Sequence, residues 1–367
     1  MASRPKTNIH AQVGQLLIMG FDGTEATPGL RQMLVMLNPG GVILFARNIV
    51  DARQTWELLR GCCETVDTPM FLCVDMEGGT VDRLKNAIAP APSAEAVSMT
   101  GDKKMFRRHG RLIGEEVRAL GFNTDFAPVL DLGFAASRSV LASRTVSHDP
   151  KHTVTYAREF LKGLREAGVL GCGKHFPGLG EANLDTHKEL PSVEKPWKRM
   201  LAEDLYPYRA LRREMPFVMV AHAAYPVVTK VATPASLSKK WMSEILRRKL
   251  GYRGLVISDD LEMGGVQAAA PIDEAAVETL RAGADMFLVC HNEAHVWRTY
   301  EAVVREAERD EKFARQIAAA AQRVLAFKKK SKELRRQVPA PRTQTVERLR
   351  EQMTRFAEQV HKAAVVF

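Results

Sequence analysis

TVTYAREFLKGLREAGVLGCGKHF, residues 153–176, holds one complete helix-to-strand unit. Tyr156, Phe160 and Leu164 recur every four residues, which lines one face of a helix with apolar side chains. Gly168 follows, a residue that enters the left-handed region closing a helix without strain. The period then changes. VLGCGKHF (169–176) is a short apolar run without alternation, the pattern of a strand buried on both faces in a parallel sheet. It ends on Lys174 and His175, so the buried strand delivers two polar side chains at its C-terminal end.

The same unit recurs along the chain. Strand candidates are QLLIMGF (15–21), GGVILF (40–45), MFLCVDME (70–77), FNTDFAPVLDL (122–132), FVMVAH (217–222), GLVISDD (254–260) and ADMFLVC (284–290). Amphipathic segments separate most of them, among them SKKWMSEILRRKLG (238–251), which opens on Ser238 as a capping residue, and DEAAVETLRAGA (273–284). Eight strands alternating with helices over some 290 residues favour a closed (β/α)8 TIM barrel over an open doubly wound sheet. Polar residues crowd the strand ends: Asp75 and Glu77, Asp131, Lys174 and His175, His222, Asp259 and Asp260. In such a barrel those ends share one face, where active sites form, so the pattern points to an enzyme.

Beyond residue 292 the chain reads as helical, with FARQIAAAAQRVLAFKKK (313–330) the last strong helix before the Pro-containing break QVPAPRTQT (337–345). The expected organisation is a catalytic barrel over residues 1–335 and a helical extension over 336–367 packed against it. Much of the basic excess behind the net charge of +10 has a local source in the run 328–336, expected to be a solvated helix face or linker. No nucleic-acid motif accompanies it. Five cysteines without paired spacing indicate neither a disulfide framework nor a zinc module. No apolar run approaches membrane-spanning length and the N-terminus has no apolar leader core, so a reducing cytoplasm is the default expectation.

Asp259, at the end of GLVIS, is placed to act in the barrel mouth as nucleophile, base or metal ligand. Asp260 is expected to point elsewhere and cap the following helix, because successive strand residues alternate faces. In LDTH, Asp185 and His187 are two apart, so in extended chain they project to the same side. A carboxylate there fixes the tautomer of the imidazole and suits it to proton transfer near neutrality. Asp75, Arg83, Arg144, Lys174 and His175 are candidates to grip a hydroxylated ligand through charged hydrogen bonds. Glu77 and His222 are read as residues that hold the mouth together.

VDMEGGTVDR, GFNTDFAPVLDL, GKHFPGLGEANLDTHKELP, VMVAHAAYP and GLVISDDLEM, in that order, resemble the motifs of glycoside hydrolase family 3. They are most similar to its single-domain bacterial β-N-acetylglucosaminidases of the NagZ type, over about residues 10–330. The resemblance implies a retaining barrel enzyme that removes terminal N-acetylglucosamine from muropeptide fragments (GlcNAc-1,6-anhydroMurNAc with or without peptide) in peptidoglycan recycling. It implies Asp259 as the nucleophile, His187 as the acid/base and Asp185 as its helper. Asp75, Arg83, Arg144, Lys174 and His175 would bind the sugar. The chain departs from the family pattern at Leu179 (usually His), Met76 (usually Gln) and Thr80 (usually Arg).

No cofactor and no metal are called for. The expected partner is a small carbohydrate, not nucleic acid or membrane, and a monomer is the default. Rival readings are a β-N-acetylglucosaminide phosphorylase or β-glucosidase of the same family, a metal-dependent barrel hydrolase, and a non-catalytic sugar-binding protein.

Overall fold

The computed structural model describes residues 8–182, 186 and 189–364. Among them, eight parallel strands close into one barrel: β1 (Leu17–Met19), β2 (Gly41–Leu44), β3 (Phe71–Val74), β4 (Thr124–Asp125), β5 (Leu170–Phe176), β6 (Phe217–Val220), β7 (Leu255–Asp260) and β8 (Met286–Val289). Each strand lies between its sequence neighbours, and β1 pairs with β8 through Leu17 opposite Phe287 to complete the ring. Helices separate the strands, so the (β/α)8 barrel expected from the alternation is the observed fold. Every residue of β1, β2, β3, β5, β6 and β8 is buried, which is why these runs carry no polar alternation.

β4 is shorter than FNTDFAPVLDL suggested. Pro128 has no N–H to give the ladder, and the chain beyond it touches β5 only through scattered bonds, such as Leu130 N–H to the Lys174 carbonyl. The segment 238–251 also departs from expectation. Lys240–Lys249 winds as a π-helix, and no side chain caps its start; Ser238 instead offers its backbone carbonyl to the N–H groups of Trp241 and Met242.

The helix Pro150–Ala167 ends at Gly168 with φ of 80°, the left-handed closure read from the sequence. It packs against the helix Lys103–Ala119 at very short range. A Cβ at Gly163 would lie 2.3 Å from the Arg107 carbonyl oxygen, and one at Gly110 would lie 2.1 Å from that of Phe160. Only glycine allows that approach.

The N-terminal end of the barrel is plugged by Phe71, Phe217 and Phe327, with Phe71 and Phe217 edge to face at 5.0 Å. Lys328 belongs to this plug and is buried, contrary to the solvated reading of the whole basic run; Lys329, Lys330 and Lys332 are exposed. Its ammonium donates to Gln15 Oε1 at 2.7 Å and lies 5.2 Å from the Phe71 ring centre. Burial pushes its pKa down to about 7.

The helix Thr343–Ala364 buries Leu349, Met353, Phe356 and Val360 and packs on the helices Lys103–Ala119 and Ala94–Met99. Phe356 stacks on His109 with ring centres 5.8 Å apart, beneath the guanidinium of Arg108. All five cysteines are free thiols. Among the described residues no helix is long and apolar enough to cross a membrane.

Phe356→Ala is expected to lower unfolding stability by about 3–5 kcal/mol, the range for emptying a buried aromatic site. The denaturant midpoint measures it. An unchanged midpoint would mean that the last helix contributes nothing to the fold.

Candidate active site

Parallel closure brings all eight strand ends to one face, and a cavity of about 320 Å³ opens there. Asp75, Arg83, Arg144, Lys174, His175 and Asp259 all line it. Six candidates scattered over 185 positions of sequence thus converge on one space. Asp185 and His187 lie outside the described residues. Thr186, between them in sequence, lines the cavity and accepts a hydrogen bond from Gly265 N–H at 2.9 Å.

The cations are organised by one buried carboxylate. Glu77 takes a two-point hydrogen bond from Arg144, Nε to Oε2 at 2.8 Å and Nη2 to Oε1 at 2.9 Å. Lys174 Nζ sits 2.6 Å from the same Oε1 and 2.7 Å from Asp75 Oδ1. Burial alone would keep Glu77 neutral, but Arg144 and Lys174 outweigh it and hold its pKa well below the usual range. Burial likewise opposes the charge on Lys174 and Arg144, and the facing carboxylates overcome it and raise both. Arg83 is different: its buried Nε has no hydrogen-bond partner among the described residues, and its guanidinium lies 5.7 Å from the Phe45 ring centre.

His175 is held from behind. Its Nδ1 is 2.6 Å from Asp131 Oδ2, and its Nε2 faces Arg144 Nη2 at 3.4 Å. The Asp131 carboxylate also accepts the backbone N–H of His175 and of Leu179, at 3.2 and 2.7 Å. Sequence reasoning noted Asp131 only as a polar strand end; its partner lies 44 residues away.

Asp259 is partly buried, and its Oδ1 accepts the Asp260 N–H at 2.9 Å. Burial works against its charge, but His175, His222, that N–H and Lys174 prevail and lower its pKa. His222 braces this strand end. It bonds the Asp260 carbonyl through Nε2 at 2.9 Å and Ser236 Oγ through Nδ1 at 2.7 Å. Its Nε2 donates to that carbonyl, and burial lowers its pKa.

Asp260 corrects the alternation argument. It lines the same cavity, because the pairing of β7 with β8 slips between Met286 and Leu288 and breaks the strict two-residue period. Its Oδ1 accepts Glu262 N–H at 3.1 Å, closing a turn and not capping a helix. Burial, with Glu262 and Asp259 nearby, pushes its pKa up to about 7. Glu262 also went unnoticed in the sequence. It accepts backbone N–H groups from Cys290, His291 and Asn292 and pairs with His295 Nδ1 at 2.7 Å, tying the ends of β7 and β8 together.

Of the three departures from the family motifs, Leu179 lines the cavity as a buried apolar wall. Met76 is buried in the core, its N–H bonded to Asp125 Oδ1, and Thr80 is exposed. Among the described residues no group of three or more His, Cys, Asp or Glu side chains is arranged to hold a metal ion.

Known proteins share both sequence and shape with this chain. A β-hexosaminidase of Bordetella parapertussis is 38% identical over 299 residues, covering 79% of this chain and 84% of the relative. A glycoside hydrolase family 3 β-N-acetylglucosaminidase from Paenibacillus sp. superposes with a TM-score of 0.86 at 31% identity, over 95% of this chain and 68% of that one. Native NagZ from Neisseria gonorrhoeae superposes with a TM-score of 0.71 at 28% identity, over 85% of this chain and 97% of that one. Residues 8–327 match the N-terminal domain of glycosyl hydrolase family 3. A barrel whose mouth pairs an ionised strand-end carboxylate with a cluster of cations, carried on that sequence, belongs to glycosyl hydrolase family 3.

Proposed function

We propose that the chain is a retaining exo-β-N-acetylglucosaminidase. On this reading it releases terminal N-acetylglucosamine from muropeptide fragments of the GlcNAc-1,6-anhydroMurNAc type in peptidoglycan recycling, in the cytoplasm. The observation that carries the proposal is Asp259: a carboxylate held ionised at the wall of a cavity rimmed by Lys174, Arg144, Arg83 and His175. The cavity is near the small end of ligand pockets, about 300–1,000 Å³, which suits one sugar residue and an exo mode of attack. The names borne by the relatives support the acetylated amino sugar.

In the first step a carboxylate oxygen of Asp259 attacks the anomeric carbon as the bond to the leaving oxygen breaks. His187, as imidazolium, gives that oxygen its proton. In the second, neutral His187 takes a proton from water, the water oxygen attacks the anomeric carbon, and the Asp259 ester bond breaks. Two inversions leave the anomeric configuration retained. Asp185 orients the imidazole and stabilises its charged form. Arg83, Asp75, Lys174, Arg144 and His175 hold the sugar hydroxyl and acetamido groups; Arg83 Nε is a donor with no competing partner among the described residues.

An aryl β-N-acetylglucosaminide tests this directly. Wild type should turn it over and release the β anomer first, seen by proton NMR. Asp259→Ala should lower kcat by on the order of 10⁴–10⁶, and His187→Ala by about 10²–10⁴. Sugar 1-phosphate formed in phosphate buffer would replace hydrolysis by phosphorolysis, and loss of activity in strong chelator would replace it by metal chemistry. Preference for an aryl β-glucoside would overturn the amino-sugar reading.

Glu77→Gln leaves Arg144 and Lys174 without their shared counter-charge and should lower stability by about 3–5 kcal/mol. Because the folded state depresses the Glu77 pKa, that difference is full above the ordinary carboxylate range and is lost as the pH falls through the folded value. Denaturant midpoints of the two proteins from pH 3 to pH 8 would show it; a difference independent of pH would refute the ion-pair account.

Asp260 gives the opposite sign. Its pKa is raised from 3.8 to about 7, so the native state keeps a proton that the unfolded chain releases, and wild type loses stability as pH rises through that window. Asp260→Asn should therefore gain on wild type between about pH 4 and pH 7 and level off above. A flat difference across the window would show that Asp260 titrates normally.

A further inference from the structure

Asp131 takes no part in the chemistry above, yet it is 1% exposed and among the described residues its carboxylate is bonded to one short segment. Oδ2 accepts from His175 twice, from the ring at 2.6 Å and from the backbone at 3.2 Å; Oδ1 accepts the Leu179 N–H at 2.7 Å. A carboxylate has only acceptor sites, so the ring nitrogen facing it must carry hydrogen. The other ring nitrogen faces Arg144 Nη2, which can only donate. Neighbours on both sides therefore favour the same tautomer of the uncharged ring: hydrogen on Nδ1 and a lone pair on Nε2.

We infer that Asp131 is a positioning residue that locks His175 as the Nδ1–H tautomer and thereby presents Nε2 to the cavity as a hydrogen-bond acceptor. Around the cavity mouth, Lys174, Arg144 and Arg83 are cations that can only donate. A neutral hydroxyl bound among them has its oxygen satisfied by those donors and needs an acceptor for its own hydrogen. His175 Nε2 supplies one by giving up its long 3.4 Å contact with Arg144 Nη2, alongside the carboxylates of the lining, so at that position the site favours a hydroxyl over an ether or a deoxy carbon. The same carboxylate fixes the Leu179 backbone, so the strand end and the residues just after it hang from one buried group. The specificity part of this inference rests on the reading that His175 meets the sugar; the tautomer part does not.

The two parts are separated by measuring the ring and the turnover independently. Nitrogen-15 NMR of imidazole-labelled protein, with His175→Ala to assign the signal, reads the tautomer in wild type without substrate. The expected result is a protonated Nδ1 and an unprotonated Nε2, lost or mixed in Asp131→Asn; an Nε2–H tautomer in wild type would overturn the inference even if the variant failed to fold. With the aryl β-N-acetylglucosaminide, Asp131→Asn should reduce kcat/KM by about 10- to 100-fold, the scale of a hydrogen bond to a charged group. In the His175→Ala background the same change should have a much smaller effect, since the ring it orients is gone. Full additivity of the two changes would overturn action through His175. If His175→Ala alone left kcat/KM unchanged while the wild-type tautomer was as stated, the sugar contact would fail and the positioning would stand.

Discussion

Two cations, Arg144 and Lys174, meet on the carboxylate of Glu77, which is 3% exposed. Like charges so close at a barrel mouth would repel each other unless a buried anion lay between them. An anion so buried would be protonated without them. Glu77 is thus charged because Arg144 and Lys174 are, and those two cations are tolerated side by side because Glu77 lies between them. Arg144 comes from the segment after β4, Lys174 from β5 and Glu77 from Met76–Gly78, which follows β3 and pairs antiparallel with Val81–Asp82, so the triad also fixes three successive strand ends relative to one another. Removing Glu77 leaves Arg144 without its carboxylate partner and Lys174 with Asp75 alone, which is the costly direction for a buried ion pair.

The fold was legible because its cause is local. A strand covered on both faces must be apolar throughout, and a helix lying on a sheet must be apolar on one stripe. Both patterns are visible within ten residues. The polar strand ends were legible for the same reason, and Asp75, Arg83, Arg144, Lys174, His175 and Asp259 meet in one cavity. What escaped depends on contacts between distant segments. His175 and its carboxylate partner are 44 residues apart, and nothing near either reveals the other. The inward turn of Asp260 follows from a slip against β8, invisible in β7 alone. Lys328 looked like the start of a solvated basic run, but the barrel floor beneath it is aromatic and takes the lysine stem and ammonium together.

The basic excess has a geometric side as well. In a (β/α)8 barrel the helices run against the strands, so their C-terminal ends gather on the face opposite the cavity. Arg60, Arg118 and Arg165, with Lys328, Lys329 and Lys330, all stand in last turns of helices. Positive side chains there complement the negative end of the helix dipole. Much of the +10 net charge is therefore compatible with a stability role on the closed face of the barrel, without any polyanionic partner.

The two faces use charge in opposite ways. On the closed face cations meet carbonyl ends that favour them, as when Arg118 reaches the Phe122 and Glu333 carbonyls. On the open face the chain carries groups that destabilise it: Asp260 raised to about 7, and Asp125 raised well above its ordinary value by burial, with Oδ2 unbonded. Asp125 uses its other oxygen to accept the Met76 N–H, so its burial serves the backbone beyond β3. Beside the ionised Asp259, an acid that keeps its proton adds no second negative charge to the cavity wall. On the proposed reading, protonated Asp260 and the tautomer-fixed imidazole of His175 give the ligand hydrogen bonds while Asp259 keeps the negative charge the reaction needs.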